Sequence, residues 1–126
     1  MGKYVIRKTA GGYKFDLKAS NGETVATSEG YTSRALCLAG IRSVRKNGVT
    51  EKLEDQSTPA AFLTNPKFEL YRDRGGKYRF RLRARNGQII ASSEAYSTHG
   101  ACLGGIESVR QNAPSEDIEE INGEAE

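Results

Sequence analysis

The stretch from Tyr13 to Asn47 is read again, without a gap, from Tyr78 to Asn112, and 18 of the 35 paired positions are identical. Asn21-Gly22 returns as Asn86-Gly87, Glu29 as Glu94, Tyr31 as Tyr96, Cys37 as Cys102, Ile41 as Ile106 and Arg45 as Arg110. Two copies this similar must adopt one supersecondary unit twice. The period is too long for solenoid repeats, which run at about 20–50 residues.

Size decides how the copies combine. A half of about 60 residues buries only about 60% of its unfolded surface and is marginal alone, whereas the whole chain can build a core without disulfide or metal staples. Residues 1–126 are therefore read as a single domain, with repeat 1 at 3–56, a linker at 57–66, repeat 2 at 67–121 and an acidic tail at 122–126. The expected state is a monomer with an internal pseudo-dimer.

Each copy opens with three strand-like runs. Tyr4 to Lys8 corresponds to Phe68 to Arg72, and the Gly-Gly pairs at 11–12 and 75–76 supply the positive φ of a tight hairpin. The second run alternates as Tyr13, Phe15, Leu17, Ala19 and as Tyr78, Phe80, Leu82, Ala84, the period-two pattern of a strand buried on one face. Asn21-Gly22 and Asn86-Gly87 turn the chain into a third strand at 24–28 and 88–93. Both of its registers repeat between the copies, so its buried face stays open.

A helix follows in each copy. Thr32-Ser33 and Ser97-Thr98 offer N-cap hydroxyls, and Cys37, Ile41, Val44 (Cys102, Ile106, Val109) form an apolar stripe. Asn47-Gly48 predicts a left-handed cap, and Pro114 stops the second helix. Gly40 and Gly105 cost roughly 1 kcal/mol each in mid-helix, so a close approach of another backbone is expected there. The acid-rich runs 51–55 and 116–121 read as edge strands completing the opposite copy's set. Ala60 to Leu63 in the linker is expected to lie on the core surface.

The pattern G-x-Y-x-F-x-L-x-A-x-N-G, then S-E-x-Y, then G-I-x-S-V-x-x-N resembles the YegP-like family of small bacterial and archaeal proteins, often in tandem copies. The resemblance covers about residues 3–121. It implies an α+β fold: two β-β-β-α-β repeats in one pseudo-twofold domain, a single antiparallel sheet, one helix per repeat and exchanged C-terminal strands. It implies that single-repeat members dimerise to the same end. It brings no agreed activity and no catalytic residue.

The duplication also sorts functional candidates, because fold-determining residues should appear twice and an asymmetric site once. Ser28-Glu29-x-Tyr31 and Ser93-Glu94-x-Tyr96 sit just before each helix and could form a small polar site with Glu as base or anchor, or could serve the helix entry. His99, the only histidine, faces Arg34 across the repeat and lacks companions at metal-ligand spacing, so it is read as an exposed first-turn residue. Cys37 and Cys102 fall on the buried stripe as small hydrophobes. No phosphate loop or dinucleotide signature occurs, and no cofactor is expected.

One feature is unshared. With Tyr78, Phe80, Leu82 and Ala84 inward, Lys77, Arg79, Arg81, Arg83 and Arg85 are expected on one outer strand face, with Tyr71 beside them as a stacking platform. The first copy has Lys14, Asp16, Lys18 and Ser20 there. Net charge is +3, but residues 67–112 hold nine basic side chains against four acidic, while 113–126 hold six acids and no base. The leading function is a non-enzymatic binding module for RNA, single-stranded DNA or an acidic protein; the alternatives are a small-molecule-binding protein or enzyme using the Ser-Glu-x-Tyr groups, and a structural or stress-associated scaffold. With no apolar leader or membrane-spanning run, and Ile6 where a myristoylation motif wants Ser or Thr, a cytoplasmic protein without membrane attachment is expected.

Overall fold

A computed structural model describes residues 1–59 and 61–121. The elements are β1 (Lys3–Thr9), β2 (Gly12–Lys18), β3 (Thr24–Thr27), α1 (Arg34–Asn47), β4 (Leu53–Asp55), β5 (Lys67–Arg72), β6 (Tyr78–Arg83), β7 (Ile89–Ser92), α2 (His99–Asn112) and β8 (Ile118–Ile121). All eight strands form one sheet in the order β4-β5-β6-β7-β3-β2-β1-β8. The order is symmetric about the β7/β3 junction, so the duplicated sequence has become a pseudo-twofold axis.

The exchange of C-terminal strands is present. β4, from repeat 1, pairs with β5 of repeat 2, and β8, from repeat 2, pairs with β1 of repeat 1. Both junctions are parallel while the six inner strands are antiparallel, so the sheet is mixed rather than wholly antiparallel. The reason is geometric. Each exchanged strand reaches its place through a helix crossover, which delivers a strand in the direction a hairpin cannot.

At the axis itself the halves share few backbone bonds. β3 meets β7 at one residue pair, Thr27 with Ser92. The helices make up for this by straddling the axis: α1 packs on β2, β6 and β7, and α2 on β2, β3 and β6. Between helices and sheet lies one core containing Tyr4, Ile6, Phe15, Leu17, Phe68, Leu70, Phe80 and Leu82 with the helix stripes Cys37-Ile41-Val44 and Cys102-Ile106-Val109.

The open question of the third strand has a specific answer. The β2–β3 register slips between Leu17 and Lys18, and the β6–β7 register between Leu82 and Arg83. Each slip is a bulge that leaves two successive residues buried in the core, Val25 with Ala26 and Ile90 with Ala91. Two registers repeat because both residues are needed. Gly22 and Gly87, at φ 88° and 89°, make the predicted hairpin turns.

Three local expectations change. Gly48 has φ −70°, so α1 ends without the left-handed cap. Glycine is needed there by space: a Cβ would stand 2.7 Å from the Val44 carbonyl oxygen and 2.8 Å from Ala113 Cβ. At Gly40 and Gly105 the close neighbour is a side chain rather than a backbone, since a Cβ would meet Tyr31 Oη at 2.2 Å and Tyr96 Oη at 2.3 Å. In the linker, Phe62 is 88% exposed instead of lying on the core. Leu63 instead spends its N–H on Glu54 Oε1, 2.8 Å away, and tethers the linker over the outer face of β4. Ala60 and the acidic tail 122–126 lie outside the described residues.

Candidate functional site

The outer face of the sheet carries no helix, and its repeat 2 half gathers most of the predicted basic residues. Register places Arg79 opposite Tyr71, Arg81 opposite Glu69 and Arg83 opposite Lys67. These three arginines do share one face. Lys77 precedes β6 in the β5–β6 turn, and Arg85 lies beyond the bulge, where the chain has turned toward α1. β6 ends at Arg83, so Arg85 falls outside the paired stripe that strict alternation predicts.

The arginines are also partnered. Arg79 Nε lies 2.7 Å from Asp73 Oδ2, and Arg81 Nε and Arg83 Nε converge on Glu69 Oε1 at 2.5 and 2.8 Å. Lys67 Nζ reaches Glu54 Oε1 at 2.5 Å and Glu69 Oε2 at 3.3 Å, with its side chain only 9% exposed. Arg81 lays its guanidinium over the Tyr71 ring at 4.5 Å, so the expected stacking platform already has a cation on it. Three carboxylates thus face Lys67, Arg79, Arg81 and Arg83, with Lys77 making no ion pair among the described residues.

The charges perturb one another as this geometry requires. The hydrogen bond from Lys67 holds the Glu54 carboxyl far down, at about 2, with Gln56 and the Leu63 N–H assisting. Burial pushes Glu69 up, but hydrogen bonds from Arg81 and Arg83 outweigh it and its carboxyl stays below the ordinary value. The Arg79 hydrogen bond does the same for Asp73. The corresponding face in repeat 1 is simpler: Asp16 takes Arg7 at 2.9 Å and Thr27 Oγ1 at 2.9 Å.

The Ser-Glu-x-Tyr groups are used by the fold. Ser28 Oγ accepts the Phe15 N–H at 2.9 Å and donates to the Glu29 carbonyl at 2.8 Å; Ser93 repeats both bonds with Phe80 and Glu94. Tyr31 stacks on Phe15 and Tyr96 on Phe80, at 6.2 and 6.3 Å between centroids, each with its hydroxyl against the helix glycine. The Glu29 and Glu94 carboxylates make no hydrogen bond among the described residues. Glu94 borders a shallow groove of about 210 Å³ that also touches Arg79 and Ser92. No three His, Cys, Asp or Glu side chains among the described residues gather closely enough to hold a metal ion.

His99 is not a free surface residue. Its Nε2 lies 2.7 Å from Asp55 Oδ2 on the strand exchanged from repeat 1. Sequence spacing could not find this partner, although the alignment of Arg34 with His99 and of Glu120 with Asp55 was a signal, because Arg34 Nε pairs with Glu120 Oε1 at 2.8 Å.

The comparisons agree with this architecture. A family described as a domain of unknown function (DUF1508) matches twice, at residues 9–55 and 73–120. A UPF0339 protein of Photorhabdus laumondii is 37% identical over 122 residues, covering 96% of this chain and 95% of that one. The solution NMR structure of yegP from E. coli, described as a protein of unknown function, superposes with a TM-score of 0.80 at 36% identity, covering 97% of this chain and 94% of that one. The chain belongs to the YegP-like family. Another relative of the YegP-like family, a UPF0339 protein of Methanosarcina acetivorans, is 65% identical over 49 residues, which are 39% of this chain but 84% of that protein. That protein has room for little more than one repeat. No helix among the described residues is long and apolar enough to cross a membrane.

Proposed function

We propose that this protein is a non-enzymatic binding module whose outer β5–β6 face in repeat 2 contacts a polyanion, either single-stranded nucleic acid or an acidic protein surface. The observation that carries the reading is the convergence of Arg81, Arg83 and Lys67 on one carboxylate, Glu69. Counting Glu54, which Lys67 also reaches, two carboxylates face these three cations, and one positive charge stays uncompensated beside Glu69. The guanidinium edges not turned toward it, with Lys77 at the end of the row, offer donors spaced about 6.6–6.8 Å apart along the strand, within reach of successive phosphates. Repeat 1, with Asp16 in the middle of its row, serves as the internal control.

The test uses variants that spare Glu69. Lys77→Gln with Arg79→Gln leaves Asp73 held by the backbone N–H groups of Gly75 and Lys77, so folding should be little changed. Retention on heparin and affinity for a uridine-rich oligonucleotide should fall, and the slope of log affinity against log salt should flatten by nearly one unit per lost contact. Lys14→Gln with Lys18→Gln in repeat 1 should matter less. Wild-type protein with no salt-dependent affinity for any polyanion would remove the reading.

A further inference from the structure

The pseudo-twofold axis creates two equivalent grooves, each between one repeat's helix and the other repeat's second hairpin turn. The first is lined by Ser108, Gln111 and Asn112 of α2 with Ser20 and Asn21. The second, of about 360 Å³, is lined by Arg42, Ser43, Lys46 and Asn47 of α1 with Arg85 and Asn86. The geometry is shared, but the charge is not. Where the first groove has Gln111 and Ser20, the second has Lys46 and Arg85, and Arg42 stands where α2 has Glu107.

No carboxylate among the described residues lies within ion-pairing distance of Arg42, Lys46 or Arg85. Helix α1 contains no acidic residue at all. Lys46 in the last turn faces the negative end of the helix dipole, equivalent to about half a charge, which is too little to neutralise three cations. The fold does not require them either, since the other repeat builds the twin groove with Glu107, Gln111 and Ser20 at the matching positions. Three unneutralised cations drawn from both repeats into one concavity, beside the hydroxyl of Ser43 and the amide of Asn86, form a recognition surface for a compact, multiply charged oxyanion.

We propose that the groove between α1 and the β6–β7 turn is a phosphate-binding site in which Arg42, Lys46 and Arg85 hold the phosphoryl oxygens. The phosphate belongs either to a small phosphorylated molecule or to a nucleic-acid backbone. The site is separate from the outer β5–β6 face and stands without it.

The two grooves supply their own test. Lys46→Gln with Arg85→Ser installs in the second groove the residues that the first already carries, so the fold should tolerate the change. Pyrophosphate, titrated while the backbone amides of Asn47 and Asn86 are followed by NMR, should give saturable one-to-one shifts that weaken at least tenfold in this variant, with the thermal midpoint preserved. The reciprocal variant, Ser20→Arg with Glu107→Arg and Gln111→Lys, should raise the stoichiometry to two. Saturation by pyrophosphate assigns a small phosphorylated ligand; saturation of the same amides by a short uridine-rich oligonucleotide alone assigns a nucleic-acid phosphate. Neither probe saturating those amides, or either saturating them equally in the Lys46→Gln, Arg85→Ser variant, overturns the proposal. Lys77→Gln with Arg79→Gln should leave the pyrophosphate titration unchanged, which separates this site from the outer face.

Discussion

His99 Nε2 lies 2.7 Å from Asp55 Oδ2, joining the first turn of α2 to the strand that repeat 1 lends to the far edge of the sheet. Its pseudo-twofold mate is Arg34 with Glu120, which holds the other exchanged strand. A second clasp lies at the opposite helix ends: Arg45 Nε donates to the Ser115 carbonyl and Arg110 Nε to the Thr50 carbonyl, at 2.9 and 2.8 Å. Each helix thus grips the segment that leaves the other helix.

Asp55→Asn should weaken the β4 clasp. Burial pushes the Asp55 carboxyl up, but hydrogen bonds from Ser57 and His99 outweigh it and hold it below its ordinary value. A depressed carboxyl contributes stability above its unfolded pKa and loses it as pH falls through the folded one. Urea unfolding should show a cost of about 1 kcal/mol at neutral pH, shrinking toward zero in acid. His99→Arg, which copies the other clasp, should be tolerated; marked destabilisation by it would contradict the pseudo-symmetric reading.

Much of this architecture was legible in the residues. Period-two alternation and Asn-Gly turns located the hairpins, and the duplication made strand exchange the economical topology. Pairings between distant segments were hidden. Asp55 is far from His99 in sequence, and the carboxylates that pair with the arginine row, Glu69 and Asp73, come from β5 and the β5–β6 turn rather than from β6 itself. Alternation places Arg85 in the stripe because it does not mark where a strand stops pairing; beyond the end of β6 it borders the groove beside Arg42.

Breaking the buried ion cluster should be costly. Lys67→Met leaves Glu54 and Glu69 buried without their shared ammonium, and one-sided removal of this kind typically costs about 3–5 kcal/mol. The same cluster predicts a steep acid limb. Glu54 falls from 4.5 to about 2 on folding, so its contribution is complete above 4.5 and disappears as pH drops toward 2. Urea midpoints that stay level between pH 5 and pH 2.5 would show that the cluster adds nothing.

The cysteines should be inert in the native protein. Both are fully buried, and burial pushes each thiol up to about 11. Labelling by a thiol reagent should be slow at pH 7.5 and become fast in denaturant. Cys102→Ala should cost roughly 1 kcal/mol or somewhat more from lost packing.

Gly40→Ala should destabilise despite alanine's better helix propensity, which is worth about 1 kcal/mol. The added Cβ would stand 2.2 Å from Tyr31 Oη and 3.1 Å from Phe15 Cε2, and overpacking of this kind typically costs about 1–3 kcal/mol. A double-mutant cycle with Tyr31→Leu should reveal favourable coupling. Simple additivity would mean that the tyrosine does not set the glycine.

The parallel pairing of Tyr4 with Ile118 and of Arg7 with Ile121 fixes an order of events on the ribosome. β1 is made more than a hundred residues before β8, the strand that covers its outer edge. At about 5–20 residues per second, the backbone N–H and C=O groups of that edge wait about 6–22 seconds for their neighbour. Throughout that interval the nascent chain presents an unpaired strand to any other nascent copy beside it. β4, by contrast, is finished before β5 begins and needs only the next hairpin. The two ends of this symmetric sheet therefore differ in the one respect symmetry does not govern, the time at which each is closed.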